Sequence, residues 1–145
     1  MVSKIKDYEF QTQCVEFLIE KTVETTSKQV ITVKAPTGAG KTIILIKYVD
    51  EFLKNTAGNT AFVWLCPGKG NLEEQSKARM EEVTPHIDTR NLMYSMMAGF
   101  EPGSVTFINW ELVTKRGNTA LKDSERSNLF EKIAEAHKDG TEFVV

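Results

Sequence analysis

Apolar residues along this chain fall into runs whose period changes from helical to extended and back. From Tyr8 onward, Phe10, Cys14, Phe17, Leu18 and Lys21 recur at helical spacing, and Val15 and Ile19 widen the apolar stripe. That pattern predicts an amino-terminal helix over residues 8–25, with Thr25-Thr26-Ser27 as the loop that leaves it. The β-branched run Val30-Ile31-Thr32-Val33 then predicts a strand. A second helix is expected from about Lys41 to Leu53, closed by the turn signal Ala57-Gly58-Asn59. Ala61-Phe62-Val63-Trp64-Leu65-Cys66 is apolar throughout and stops at Pro67-Gly68, as a strand covered on both faces does.

The alternation continues. Asn71 offers a side-chain N-cap, with Glu74 completing a capping box for a helix that carries Leu72, Gln75, Arg79, Met80 and Val83. Pro85 ends that helix. Asn91-Leu92-Met93-Tyr94 reads as a short strand, and Met96-Met97-Ala98-Gly99-Phe100 as a loop or helical turn. Val105-Thr106-Phe107-Ile108 is a further strand after the turn at Pro102-Gly103. A polar stretch over residues 115–124, with a turn at Gly117-Asn118, leads into Leu129, Phe130, Ile133, Ala134 and His137 at helical spacing. Asp139-Gly140 closes that helix, and Glu142-Phe143-Val144-Val145 begins another strand. Strands alternating with helices in this order imply βαβ units and a mostly parallel sheet, hence an α/β fold over residues 1–145 as one domain.

Composition narrows the partners more than the fold. The net charge of -2 excludes a generally basic nucleic-acid binder, so any such contact is local. No apolar run approaches the roughly 20 residues that span a bilayer, and Met1 to Lys6 lacks a signal-peptide core. Cys14 and Cys66 are far apart and read as small buried residues, which places the chain in the cytoplasm.

The chemistry concentrates at Ala35-Pro36-Thr37-Gly38-Ala39-Gly40-Lys41-Thr42, between the expected Val30 strand and the second helix. Strand, glycine-rich loop and helix are the context in which a phosphate-binding loop works. Gly38 and Gly40 lack a Cβ, so the loop can turn its N–H groups of Gly38, Ala39 and Gly40 onto phosphate oxygens. The helix beginning near Lys41 adds unpaired N–H groups and a positive dipole end. Lys41 is the catalytic candidate, a point charge for the β- and γ-phosphates, and the Thr42 hydroxyl is the Mg²⁺ ligand. Ala35 stands where the general pattern has its first glycine.

This loop, with alanine in its first position, resembles the first motif of superfamily 2 helicases and translocases. Phe10-Gln11 is similar to that family's aromatic–Gln adenine-reading element. Phe62 to Gly68 followed by Leu72 and Gln75 resembles its strand–Pro–helix motif, which touches the nucleic-acid backbone. Phe107-Ile108-Asn109-Trp110-Glu111 looks like its later strand-end motif, in the wording of the helicase (Res) subunit of type III restriction enzymes. The resemblance implies a P-loop NTPase, RecA-like three-layer domain. It implies ATP and Mg²⁺ as cofactors, with DNA, the rest of the motor and a modification (methyltransferase) subunit as partners. It also implies an Asp-Glu pair directly after the strand begun at Phe143; the sequence stops short of it, so the domain reads as incomplete at its carboxyl end.

Each further candidate has a plainer alternative. Gln11 can donate to and accept from an adenine edge, or be an exposed helix-start residue, and Gln13 competes for the role. Phe10 can stack on the base or sit in the core. Lys69, Gly70 and the start of the Asn71 helix can hold a nucleic-acid phosphate or form a solvated loop. Asn109 is a nucleic-acid contact or a turn former. Trp64 reads as core, Trp110 is less committed, and His86 and His137 lack partners at ligand spacing. Lys115-Arg116 and Lys122 read as a solvated face. The expected function is an ATP-binding segment that does not hydrolyse ATP alone, with a nucleotide-binding or interaction module as the alternative. An uncovered sheet edge would allow self-association.

Overall fold

Two units divide the chain, one over Met1–Ala57 and one over Gly58–Val145. The computed structural model describes residues 7–24, 28–56, 58–114 and 123–145, except for the side chains of Leu112 and residues 123–128. Thr25-Thr26-Ser27, Ala57, the Gly117-Asn118 turn and the basic positions Lys115, Arg116 and Lys122 lie outside the described residues.

The first unit is built on α1 (Glu9–Glu24) and α2 (Lys41–Asn55), which pack on one another. Its helices begin and end within about two residues of the sequence expectation, but the buried stripe of α1 is rotated. Gln11, Val15 and Leu18 are buried, whereas Phe10 and Phe17 are each 50% exposed. Helical spacing put Phe10 and Phe17 on the apolar stripe and left Phe10 open between the core and a base-stacking role. The fold instead buries the 11-15-18 row, and Phe10 is therefore not core. On α2, Ile44, Ile46, Tyr48, Val49 and Phe52 are buried. The Tyr48 and Thr22 hydroxyls lie 2.8 Å apart and join the two helices.

Residues 28–36 carry no regular secondary structure, so the expected Val30–Val33 strand is absent from the described residues. Val30 is 89% exposed and Val33 is 42% exposed. β-branching fits a residue to a pleated surface, but a strand exists only by pairing, and no ladder includes these residues.

The second unit holds a four-stranded sheet in the order β2-β3-β1-β4, with all three neighbouring pairs parallel. Its strands are β1 (Thr60–Cys66), β2 (Asp88–Asn91), β3 (Ser104–Asn109) and β4 (Glu142–Val144). The connecting helices are α3 (Leu72–Val83), α4 (Leu92–Ala98), α5 (Trp110–Thr114) and α6 (Asp123–Lys138). Alternation along the strands sorts residues onto two faces. Phe62, Trp64, Val105 and Phe107 share one face, where α3 lies; the Cys66 thiol reaches Ser76 there at 3.9 Å, and Trp64 stacks on Phe107. Val63, Thr106 and Ile108 share the other with α4, α5 and α6 through a core of Phe100, Val113 and Leu129. Helices on both faces of a parallel sheet make this an α/β three-layer arrangement.

Three local expectations fail in this unit. The strand is Asp88–Asn91, not Asn91–Tyr94, because the Asn91 side chain accepts from the Tyr94 N–H at 2.8 Å and turns the chain into α4. Asn71 makes no side-chain cap on α3, so the capping box with Glu74 does not form. α5 has no counterpart in the expected elements. Asn109 starts it by accepting from the Glu111 N–H at 3.1 Å, which is the turn-forming role. At β2, Arg90 is only 6% exposed and pairs with Asp88 and Glu101. The Asp88 carboxylate, bonded to its guanidinium, raises the Arg90 pKa further above its already high value.

Candidate functional site

Polar chemistry in the first unit gathers at the turn between residue 36 and α2. The Ala39 N–H donates to the Pro36 carbonyl at 3.2 Å, which tightens the loop. Gly38 has φ 86° and Gly40 has φ 76°, both in the left-handed region that a side chain disfavours. Gly40 is the N-cap of α2, and because it has no side chain nothing caps the helix from that position. The first-turn amides of α2 therefore face outward with the positive end of the helix dipole, and Lys41 and Thr42 are exposed beside them. Thr37, Gly38 and Pro36 are exposed as well, while Ala39 and Gly40 are half-buried. The left-handed glycines, the uncapped helix start, Lys41 and Thr42 are thus neighbours along one short stretch of chain.

Gln11 explains why the two loop residues Ala39 and Gly40 are partly covered. It is 4% exposed, so the exposed helix-start reading does not hold. Its Nε2 donates to the Ala39 carbonyl at 3.0 Å, and its Oε1 accepts from Lys47 Nζ at 3.2 Å. A Cβ built on Gly40 would lie 2.7 Å from Gln11 Nε2 and would displace that amide, while φ 76° is what disfavours any side chain there. Each amide group retains one donor and one acceptor site after these bonds. Gln13, the competitor, bonds Glu9 on the exposed side of α1 and does not reach the loop. Phe10 is exposed and its ring lies 5.7 Å from that of Tyr8, which is 44% exposed. Lys47 and Asp7 were not legible as site residues. Lys47 reads as one more polar position on α2, and its bonds to Gln11 and to Asp7 at 2.8 Å join residues 36 and 40 positions apart.

A second cluster forms at the carboxyl ends of β1 and β3 in the other unit. The parallel register pairs Cys66 with Asn109, so the loop over residues 67–71 and the Asn109-Trp110-Glu111 segment leave the sheet side by side. Gly68 packs against the Glu111 side chain so closely that any Cβ there would overlap it. Lys69 and Gly70 are exposed, Gly70 with φ 71°, and Trp110 is 48% exposed. Trp64 is half-buried against Phe107, with ring centroids 5.3 Å apart. Burial raises the pKa of the Cys66 thiol, and the Glu73 carboxylate nearby adds to that, which disfavours the thiolate. The second cluster thus joins two sequence motifs that are separated by about forty residues.

No helix among the described residues is long and apolar enough to cross a membrane. Residues 4–139 match the family model described as type III restriction enzyme, res subunit. No curated protein and no solved structure matches the chain.

Proposed function

The chain belongs to the type III restriction enzyme res-subunit family, and from that premise we propose that it is the ATP-binding segment of a DNA-acting helicase or translocase. The uncapped start of α2, flanked by Gly38, Gly40, Lys41 and Thr42, is the observation that carries this reading. The amides of residues 38–42 bind phosphate oxygens, and the Lys41 ammonium holds the β- and γ-phosphates through charge-assisted bonds. The Thr42 hydroxyl is the protein's ligand for Mg²⁺, which when bound neutralises charge on the phosphates. Phe10 offers an exposed face to the adenine, and Gln11 keeps one donor and one acceptor for its edge.

DNA binding in the intact enzyme belongs to the second cluster, with Lys69 and Gly70 on a backbone phosphate and Asn109 setting the turn beside them. Turnover requires a carboxylate to hold the metal and orient water, and an arginine worth roughly 10³–10⁵ in rate. Among the described residues the side chain bonded to the loop is Gln11, neither of those groups. The role proposed for the chain alone is to bind ATP-Mg²⁺, with turnover left to the intact motor. The rest of the motor and a methyltransferase subunit complete the assembly in the cytoplasm. β4, which has β1 as its neighbour, leaves an edge through which copies can associate.

A nucleotide-binding or interaction module without catalysis is the second reading, and the Gln11 amide bonded to the Ala39 carbonyl serves it equally well. Titration of the purified chain with a fluorescent ATP analogue, with and without Mg²⁺, tests the proposal. Saturable Mg²⁺-dependent binding that Lys41→Ala removes is the expected result. A wild-type chain that gives no signal at millimolar nucleotide overturns it.

A further inference from the structure

Lys47 lies well inside α2, beyond the phosphate loop, and its ammonium is shared between two side chains of the amino-terminal segment. Its side chain is 20% exposed, and Nζ sits 3.2 Å from Gln11 Oε1 and 2.8 Å from Asp7 Oδ1. A lysine has donors only, so it can face the oxygen of the Gln11 amide and not the nitrogen. That choice leaves Nε2 as the end directed at the Ala39 carbonyl, where it donates at 3.0 Å. With the amide reversed, two oxygens would meet at Ala39 and the bond would be lost. Asp7, 84% exposed on its side chain, is the second partner of the ammonium and, as a solvent-screened pair, the weaker brace.

We propose that Lys47 is a positioning residue for the phosphate loop, acting through Gln11 by fixing the orientation of its amide. The relay runs from Asp7 to Lys47 to Gln11 to Ala39, and its effect falls on the loop whether or not a base is present. This inference rests on the reading of that loop as a phosphate site. It differs from base recognition, which a ligand without a base would not register.

Two readouts on Lys47→Met and Lys47→Arg test it. In ligand-free protein, amide hydrogen exchange at Ala39 and Gly40 and exchange of the Gln11 side-chain amide should quicken in Lys47→Met and return towards wild type in Lys47→Arg. Calorimetric titration with tripolyphosphate and Mg²⁺ should show affinity falling by about three- to tenfold in Lys47→Met, the loss of one relayed hydrogen bond. Asp7→Asn, at an exposed position, should move both readouts the same way by less. Unchanged loop exchange and unchanged tripolyphosphate affinity in Lys47→Met overturn the proposal, as does a melting shift without any change at the loop. If wild-type protein itself fails to bind tripolyphosphate, the phosphate-site reading falls, and the exchange comparison still decides the role of Lys47.

Discussion

The two units place their chemistry and their packing differently. In Gly58–Val145, strands pair along their length and bury Ala61, Val105 and Thr106 completely, each at 0% exposure. In Met1–Ala57, the glycine-rich loop before α2 follows an irregular segment whose Val30 is 89% exposed. A sheet is held by many long-range contacts, each weak and mutually supporting. The glycine-rich loop is held by a few specific backbone angles and the Gln11 brace. Substitutions should therefore act on stability in one unit and on ligand binding in the other.

The largest expected effect is on the sheet. Phe107→Ala removes a ring that is 2% exposed and stacked on Trp64 at 5.3 Å. Urea unfolding should show a loss of about 3–5 kcal/mol. A loss below about 1 kcal/mol would mean that the β3 face is not packed.

Next comes the loop. Lys41→Ala, at an exposed position, should leave the urea midpoint unchanged while weakening ATP-Mg²⁺ binding by about 1.5–3 kcal/mol, or roughly 10- to 150-fold. Equal losses in stability and binding would erase the contrast between the units.

The response to pH should separate them further. Burial raises the Tyr48 pKa above its ordinary value of 10.0 in the first unit. Its contribution to stability is therefore full below pH 10.0 and declines as pH rises past that value. Tyr48→Phe should flatten the alkaline side of a melting-temperature profile. In the second unit, hydrogen bonds from Lys77 first and Thr89 second hold the Glu81 pKa below 4.5. That contribution is present above pH 4.5 and is lost as pH falls below it. Solvent screening keeps it small, because the Glu81 side chain is 47% exposed. Thr89→Val should reduce the acid-side slope slightly and leave the alkaline side alone.

The smallest effect is the sharpest check on the first unit. Val30→Thr should change stability by no more than about 0.5 kcal/mol, as exposed substitutions do. A loss of about 2 kcal/mol or more in urea unfolding would show that Val30 lies in a packed strand, which was the expectation from its β-branched neighbours.

What could be read from the chain alone were the features whose physical cause is local. The turn at Gly38 and Gly40 is legible because two glycines meet a demand of backbone angle, with φ 86° and 76°. The helix periods of α1, α2, α3 and α6 and the apolar run of β1 are legible because they too are local. Asn91 and Asn109 carried turn chemistry, but whether each ended a strand or opened a helix depended on which side-chain bond formed. Tertiary structure decided the rest. It chose the Gln11 row over the phenylalanines as the buried side of α1, and left Val30–Val33 without a strand partner among the described residues. It also brought Lys47 and Asp7 to Gln11, and set Cys66 beside Asn109. Those pairings join residues tens of positions apart, and no periodicity within a window of sequence encodes which distant partner a side chain will meet.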